Sequence, residues 1–486
     1  MLSLLVSFAG VMKAQEASVD TIMKHIRYLS SSRCEGRMAG TDGYDRAVQY
    51  AVGVLESYGV KPYYEDWESD FFTVERNVVE NARMSTYFPS DKAQKDYVLG
   101  KDFACASMTG RGYADAPVVF CGYGIDNAIY DEYAKVDARG KIVLVMTGVP
   151  DHLPQSVSER YSTLRDKARV AQSHGAVAMV AINMSDRCRA TEVQNFAYVG
   201  EGPQMLTFPI LQATRWTGNA ILADERITLD SVLSMMELFH RPCSFLLDKR
   251  ISLDVNATYN PAAETGNVVG ILESSDPRLR REIIVVGASM DHVGMQGQTC
   301  LFPGADNTTG VAALLETARL LSQVKDWMGR SVVFVIFGGG EHHHAGADVF
   351  LRNFPKLEWV DAFLNIEKVG SGDSIALMGA KRFPLLHGIA LHADSIYTGY
   401  AKHDLSAMPQ AEAIDFTRIG IPSLSFCTTN GRRYNHVPSD MAENIDRRMV
   451  ARVATLFYHT LAQLCNGDYQ GRSEDLRYER PAPKTK

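Results

Sequence analysis

Apolar positions recur at helical spacing over residues 19–31. Ile22, Ile26 and Leu29 share one face there, and Asp20 can cap the start. A second amphipathic helix is predicted over 44–58, stopped at Gly59, and the GRMAGTDGYD segment between the two reads as a turn-rich loop. Residues 71–89 read as strand. From about residue 97 short apolar runs take over. APVVFCGYG, GKIVLVMTG and AVAMVAIN surround one predicted helix near 160–174, and the block continues to about 250. This pattern predicts a mixed β/α domain of its own.

Beyond residue 265 strand and helix patterns alternate. VVGIL and EIIVVGASM precede a helix over 309–323, SVVFVIFGG a helix near 345–353, DAFLNIEKV a helix near 384–394, and PSLSFCT a long helix over 441–464. The alternation predicts an α/β fold with a central, mostly parallel sheet flanked by helices and the mixed β/α block inserted into it. The expected divisions are 1–17, 18–96 with 251–466, 97–250, and a polar tail over 467–486 without periodicity, expected to be disordered.

Composition narrows the function classes. The chain has 486 residues, 46% apolar and 22% charged, which is ordinary globular usage. Its 50 basic and 57 acidic residues give a net charge of -7, so nucleic acid is not expected as a partner. No apolar run reaches the roughly 18 residues of a membrane span. Residues 2–11 form an apolar stretch followed by small and polar residues around Ala14, which reads as an export signal over 1–17 and predicts a periplasmic, cell-surface or extracellular protein. Eight scattered cysteines form no CxxC pair, and their number alone does not fix a disulfide pattern.

Binding sites in open parallel sheets lie at the carboxyl ends of the strands, so the residues after each apolar run carry the chemistry. Ser289-Met290-Asp291-His292 follow the second strand. Asp306 stands in GADN before the next helix. Glu341 and His342–His344 follow SVVFVIF, Glu367 follows DAFLN, and His436 and Asp440 follow SLSFCTTNGRRYN. Carboxylates and imidazoles arriving at one sheet edge are the donor set that zinc prefers.

These segments resemble the co-catalytic zinc aminopeptidases, a family that includes leucyl aminopeptidases, glutamate carboxypeptidases, glutaminyl cyclases and the transferrin receptor ectodomain. GASMDHVG is similar to the family's G-A-H-x-D-H-x-G, FPGADNTTG to G-A-D-D-N-x-S-G, and FGGGEHHHAGADVFL to F-G-G-E-E-x-G-L-x-G-S-x-x-F. LNIEKVG is similar to N-x-D-M-x-G, and HVPSD to H-T-P-S-D. The middle block resembles the protease-associated domain that many members carry as an insertion. The resemblance implies a peptide substrate or ligand and a metal-activated water that hydrolyses N-terminal residues from peptides.

Carried over position by position, the resemblance makes Asp306 a bridging ligand, Glu341 and His436 ligands of one zinc ion, and Glu367 a weaker ligand. The other metal's histidine position is Ser289, a poor zinc ligand, and the general-base position is Gly340, which has no side chain. The S-D-H triplet that often precedes the last strand reads Ala411-Glu412-Ala413. One zinc ion is therefore expected, with two or none as the alternatives, and weakened activity. His343 is the candidate surrogate base within the His342–His344 run, His292 could replace Ser289 as a ligand, and Arg432 and Arg433 could hold a substrate carboxylate. The alternative is a catalytically dead pseudo-peptidase that binds a peptide or protein partner.

Overall fold

The computed structural model describes residues 15–467, 469 and 471, except 68, 89–93, 186–188, 196–203, 224–226, 403–407 and 432–435. The export segment thus lies almost wholly outside the described residues, as do Arg432 and Arg433.

Among the described residues, two eight-stranded sheets organise the chain. The first has the order 61–62, 268–272, 331–337, 283–289, 360–366, 423–429, 374–378 and 401–402. Its four middle strands run parallel, 331–337 beside 283–289, then 360–366, then 423–429, and the strands flanking them pair antiparallel. Every residue of Ile283–Ser289 and of Ser331–Phe337 is buried. Their largely apolar runs, rich in Val and Ile, follow from helices covering both faces, which leaves no solvent side for polar alternation.

Helices Val19–Leu29, Asp42–Ser57, Ala305–Ser322, Pro384–Tyr397 and Arg447–Asn466 close one face in a single large core. Ser18 caps the first of them through the Thr21 amide, and Asp446 caps the last through the amides of Arg448 and Met449. Ala345–Asn353 and Ala413–Arg418 pack on the other face. The predicted helices are all present, with ends displaced by a few residues. Tyr469, in the segment expected to be disordered, is buried, and its carbonyl accepts from the Arg330 guanidinium.

The second sheet has the order 94–97, 71–87, 244–266, 112–121, 142–146, 178–182, 210–213 and 103–105. It reaches beyond 97–250 on both sides, because Phe71–Tyr87 pairs antiparallel along Ser244–Gly266. The 23-residue strand Ser244–Gly266 enters the first sheet's Val268–Leu272 strand almost at once. The insert and the α/β domain are therefore joined by a paired ribbon rather than by loose linkers. The seven described cysteines are all free thiols, and among the described residues no helix is long and apolar enough to cross a membrane.

Candidate metal and catalytic site

The carboxyl ends of the parallel strands converge on one cleft. Glu341, in the turn after Ser331–Phe337, lies at its centre. Its Oε1 accepts from His436 Nε2 at 3.0 Å and stands 3.6 Å from His292 Nδ1. One donor atom from each of His292, Glu341 and His436 lies within 4.8 Å of the others. The two imidazole rings meet edge to face with centroids 5.0 Å apart. Both ring nitrogens of His292 and Nδ1 of His436 are buried without hydrogen-bond partners. Orphaned buried nitrogens are costly unless something ligates them. Two imidazoles and a carboxylate fit a zinc ion with a fourth position left open.

The electrostatics agree with that fit. Burial pushes the His292 imidazole down to about 3, so it stays neutral and keeps a lone pair for a metal. Burial alone would push the Glu341 carboxyl up, but the His436 and His292 imidazoles outweigh it and hold the group well below the usual carboxylate range.

The backbone around these residues is tightly specified. Asp291 Oδ1 accepts the Gly340 amide at 2.7 Å and Oδ2 the Glu341 amide at 3.1 Å, which fixes the turn that carries Glu341. Gly304, with φ +58, is needed because a Cβ there would lie 2.4 Å from His292 Cδ2. Arg37, fully buried, donates to the carbonyls of Leu29, Met290, Pro303 and Gly304 and to Asn307 Oδ1. It thereby ties the loop that bears His292 and the start of the Ala305–Ser322 helix to the first helix.

The expected site residues are distributed differently from the expectation. Glu341 and His436 come together as foreseen, and His292 completes the group. Asp306 is not a member. Its carboxylate accepts the Gly370 amide at 2.8 Å and the Ser371 hydroxyl at 3.0 Å, and its own amide donates to Asp440. Its neighbour Asn307 lines the cleft instead. Glu367 lines the cleft but also stands outside the group. His343, the expected surrogate base, is exposed, with φ +56, and does not line the cleft. His344 does line it, with Nδ1 2.9 Å from Asp415, and His342 Nε2 donates to the Glu75 carbonyl at 2.8 Å.

Two cavities meet at Glu341. The larger, about 370 Å³, is walled by Ser289, Gly340, Glu367, Lys368, His344 and Glu412 among others. The smaller, about 30 Å³, is bounded by His292, His342 and Asn195 of the insert. The Asn195 amide donates to the His436 carbonyl at 3.0 Å, so the insert touches the site directly. Glu412 was legible only as part of an eroded triplet. In the structure it is buried, and the Ser289 hydroxyl donates to its Oε1.

Asp440 offers a stability test. Burial, then the charge of Asp306, pushes its carboxyl from 3.8 up to about 7. A raised acid favours the protonated folded state, so its contribution is complete below about pH 4 and is lost as pH rises through 7. Asp440→Asn keeps the acceptor for the Asp306 amide and stays neutral. In chelator-treated protein it is expected to add roughly 3 kcal/mol at pH 8 and almost nothing at pH 4. Urea unfolding at the two pH values measures this, and equal effects at both would contradict it.

Residues 267–461 match peptidase family M28, and residues 104–221 match the PA domain. Among solved structures, the zinc aminopeptidase BSAP from Bacillus subtilis shares 18% identity at a TM-score of 0.65, over 94% of this chain and 97% of that one. The aminopeptidase from Aneurinibacillus sp. strain AM-1 shares 19% at 0.60, over 94% and 96%. A peptidase M28 precursor from Shewanella amazonensis SB2B shares 16% at 0.59, over 96% and 100%. These likenesses establish the fold. Comparison with curated proteins finds no match.

Proposed function

We propose, on the premise that this chain is a member of peptidase family M28 with a PA domain inserted in it, that it is an exported zinc-dependent aminopeptidase. It holds one metal ion between His292, Glu341 and His436 and releases N-terminal residues from peptides slowly. The observation that carries the reading is the set of buried, unpartnered imidazole nitrogens around Glu341. A zinc ion bound there supplies Lewis acidity toward the scissile carbonyl and acidifies water.

The chain's own residues do the rest. The cavity of about 370 Å³ lies in the size range of small-ligand sites. Its walls carry Asp291, Glu341, Glu367 and Glu412 against Lys368 alone, a balance that suits a free α-ammonium end. Asp291 keeps the Glu341 turn in place through two backbone amides, and burial keeps the His292 imidazole neutral beside it. Position 340 is a glycine, so the proton of the attacking water must go to another group of the cleft, a contribution of about 10²–10⁴-fold in rate.

Zinc stoichiometry by elemental mass spectrometry, after dialysis against trace zinc, tests the reading without a guess at the substrate. One ion per chain, together with chelator-sensitive release of N-terminal residues, is the expected result. No bound zinc would overturn the proposal and leave a peptide-binding module. Two tightly held ions would overturn the one-metal site.

A further inference from the structure

We infer that Glu412 is the general base of this site, standing in from another strand connection for the side chain that Gly340 lacks. The inference rests on the hydrolase reading above and adds the group that moves the proton.

Three observations converge. First, Glu412 is 1% exposed and lines the larger cavity beside Glu341. Its Oε1 is held by the Ser289 hydroxyl, while Oε2 is buried with no hydrogen-bond partner. A buried carboxylate oxygen left without a donor is expensive, and at a cavity wall a water molecule is the natural one to supply it. Second, the space above Gly340 is already taken. A Cβ there would lie 2.7 Å from Ser289 Oγ and 3.2 Å from Asp291 Oδ1. The Ser289 hydroxyl, with the Glu412 carboxyl behind it, fills the region that a side chain at 340 would enter. Third, all but one of the other acidic and imidazole groups at or beside the cleft are committed, Glu367 being the exception. Asp291 accepts two backbone amides, Asp306 is bound to Gly370 and Ser371, Glu341 faces two imidazoles, and His344 is paired with Asp415.

The environment also makes Glu412 basic. Burial, then the negative charge of Glu367, pushes its carboxyl up to about 7, against the opposing pull of His344 and the Ser289 hydroxyl. Asp291, Glu341 and Lys368 are the other charged groups on the same walls. A base matched to neutral pH is the most effective one.

The step balances as ordinary hydrolysis. Glu412 Oε2 takes a proton from water while the water oxygen's electron pair forms the bond to the scissile carbonyl carbon. The carbonyl π pair moves to its oxygen. On collapse the C–N bond breaks with its pair going to nitrogen, which receives the proton from Glu412. One water is consumed, one amine and one carboxylic acid leave, and Glu412 returns to its starting state.

The test compares zinc-loaded wild type with Glu412→Gln on L-leucine p-nitroanilide. The variant is expected to lose about 10²–10⁴-fold in kcat, with KM changed by less than about threefold. Its zinc content should be unchanged, and the acidic limb of the kcat profile, near pH 7, should vanish. Unchanged kcat would overturn the inference. So would a raised KM at constant kcat, which would make Glu412 an anchor for the substrate amine.

A readout independent of turnover is the proton balance on binding L-leucine hydroxamate, by calorimetry in two buffers of different ionisation enthalpy. Wild type is expected to keep the hydroxamate proton on Glu412 and release none, whereas Glu412→Gln releases one to the buffer. Equal release from both proteins would overturn the inference. The two proposals fail separately. Wild type without zinc refutes the metal site, while zinc-bearing wild type matched by Glu412→Gln refutes only the base.

Discussion

Zinc in excess is expected to protect the wild-type chain against heat and to do nothing for His436→Ala. A ligand that binds only the folded state stabilises by RT ln(1 + [L]/Kd), about 4 kcal/mol at a thousandfold excess over Kd. For a domain of this size that corresponds to a rise in Tm of roughly 8–16 °C. His436→Ala removes one of the two imidazoles that face Glu341. It leaves the Glu341 carboxylate beside His292 alone, so zinc should neither be retained on dialysis nor shift the Tm. The metal-free proteins should differ much less. The lost His436–Glu341 contact also held the carboxyl low, so the variant's acid stability should fall slightly. Differential scanning calorimetry with and without zinc reads both effects. An equal zinc-induced shift in the two proteins would move the metal site away from His436.

Arg37→Ala is expected to cost about 4–6 kcal/mol in urea unfolding and to weaken zinc binding from a distance. The guanidinium is fully buried and serves four carbonyls and one side-chain amide oxygen drawn from three separate segments. Deleting it strands buried acceptors at about 1–3 kcal/mol each, partly offset by entering water. Arg37→Lys should recover only part of the loss, because three donors on a tetrahedral ammonium cannot reproduce the planar fork. The loop bearing His292 and the helix start bearing Asn307 both lose their anchor, so zinc affinity should fall as well. A variant with wild-type urea midpoint and zinc retention would show that Arg37 is not the clamp.

The α/β order and the meeting of Glu341 with His436 were legible because strand and helix periods alternate cleanly and the polar residues follow strand ends. The rest depended on directions that spacing does not carry. Successive residues on a helix differ by about 100° around its axis. Asp306 and Asn307 begin the same helix, and that rotation turns Asp306 toward Gly370 and Ser371 while Asn307 faces the cleft. His292 follows an irregular turn held by its own amide on the Arg37 carbonyl, a contact between segments 255 residues apart. His343 sits in a left-handed turn that points it outward. Glu412 looked like erosion of a triplet, since only tertiary packing reveals that it is buried beside Ser289. The far edge of the insert was hidden by the register shifts around Asn256 and Asn260, which break the strand's alternation.

The amide of Asn195 donating to the His436 carbonyl has a consequence for how this architecture can be rebuilt. A recombinant chimaera that replaced residues 104–221 with the corresponding domain of another protein would exchange more than a recognition surface. It would withdraw a backbone partner from a residue that itself holds a left-handed conformation, with φ +58. The two units are thus not interchangeable parts. Transplanting the insert successfully would require carrying the Asn195 segment across with its register intact, or accepting a loosened imidazole as the mark of the seam.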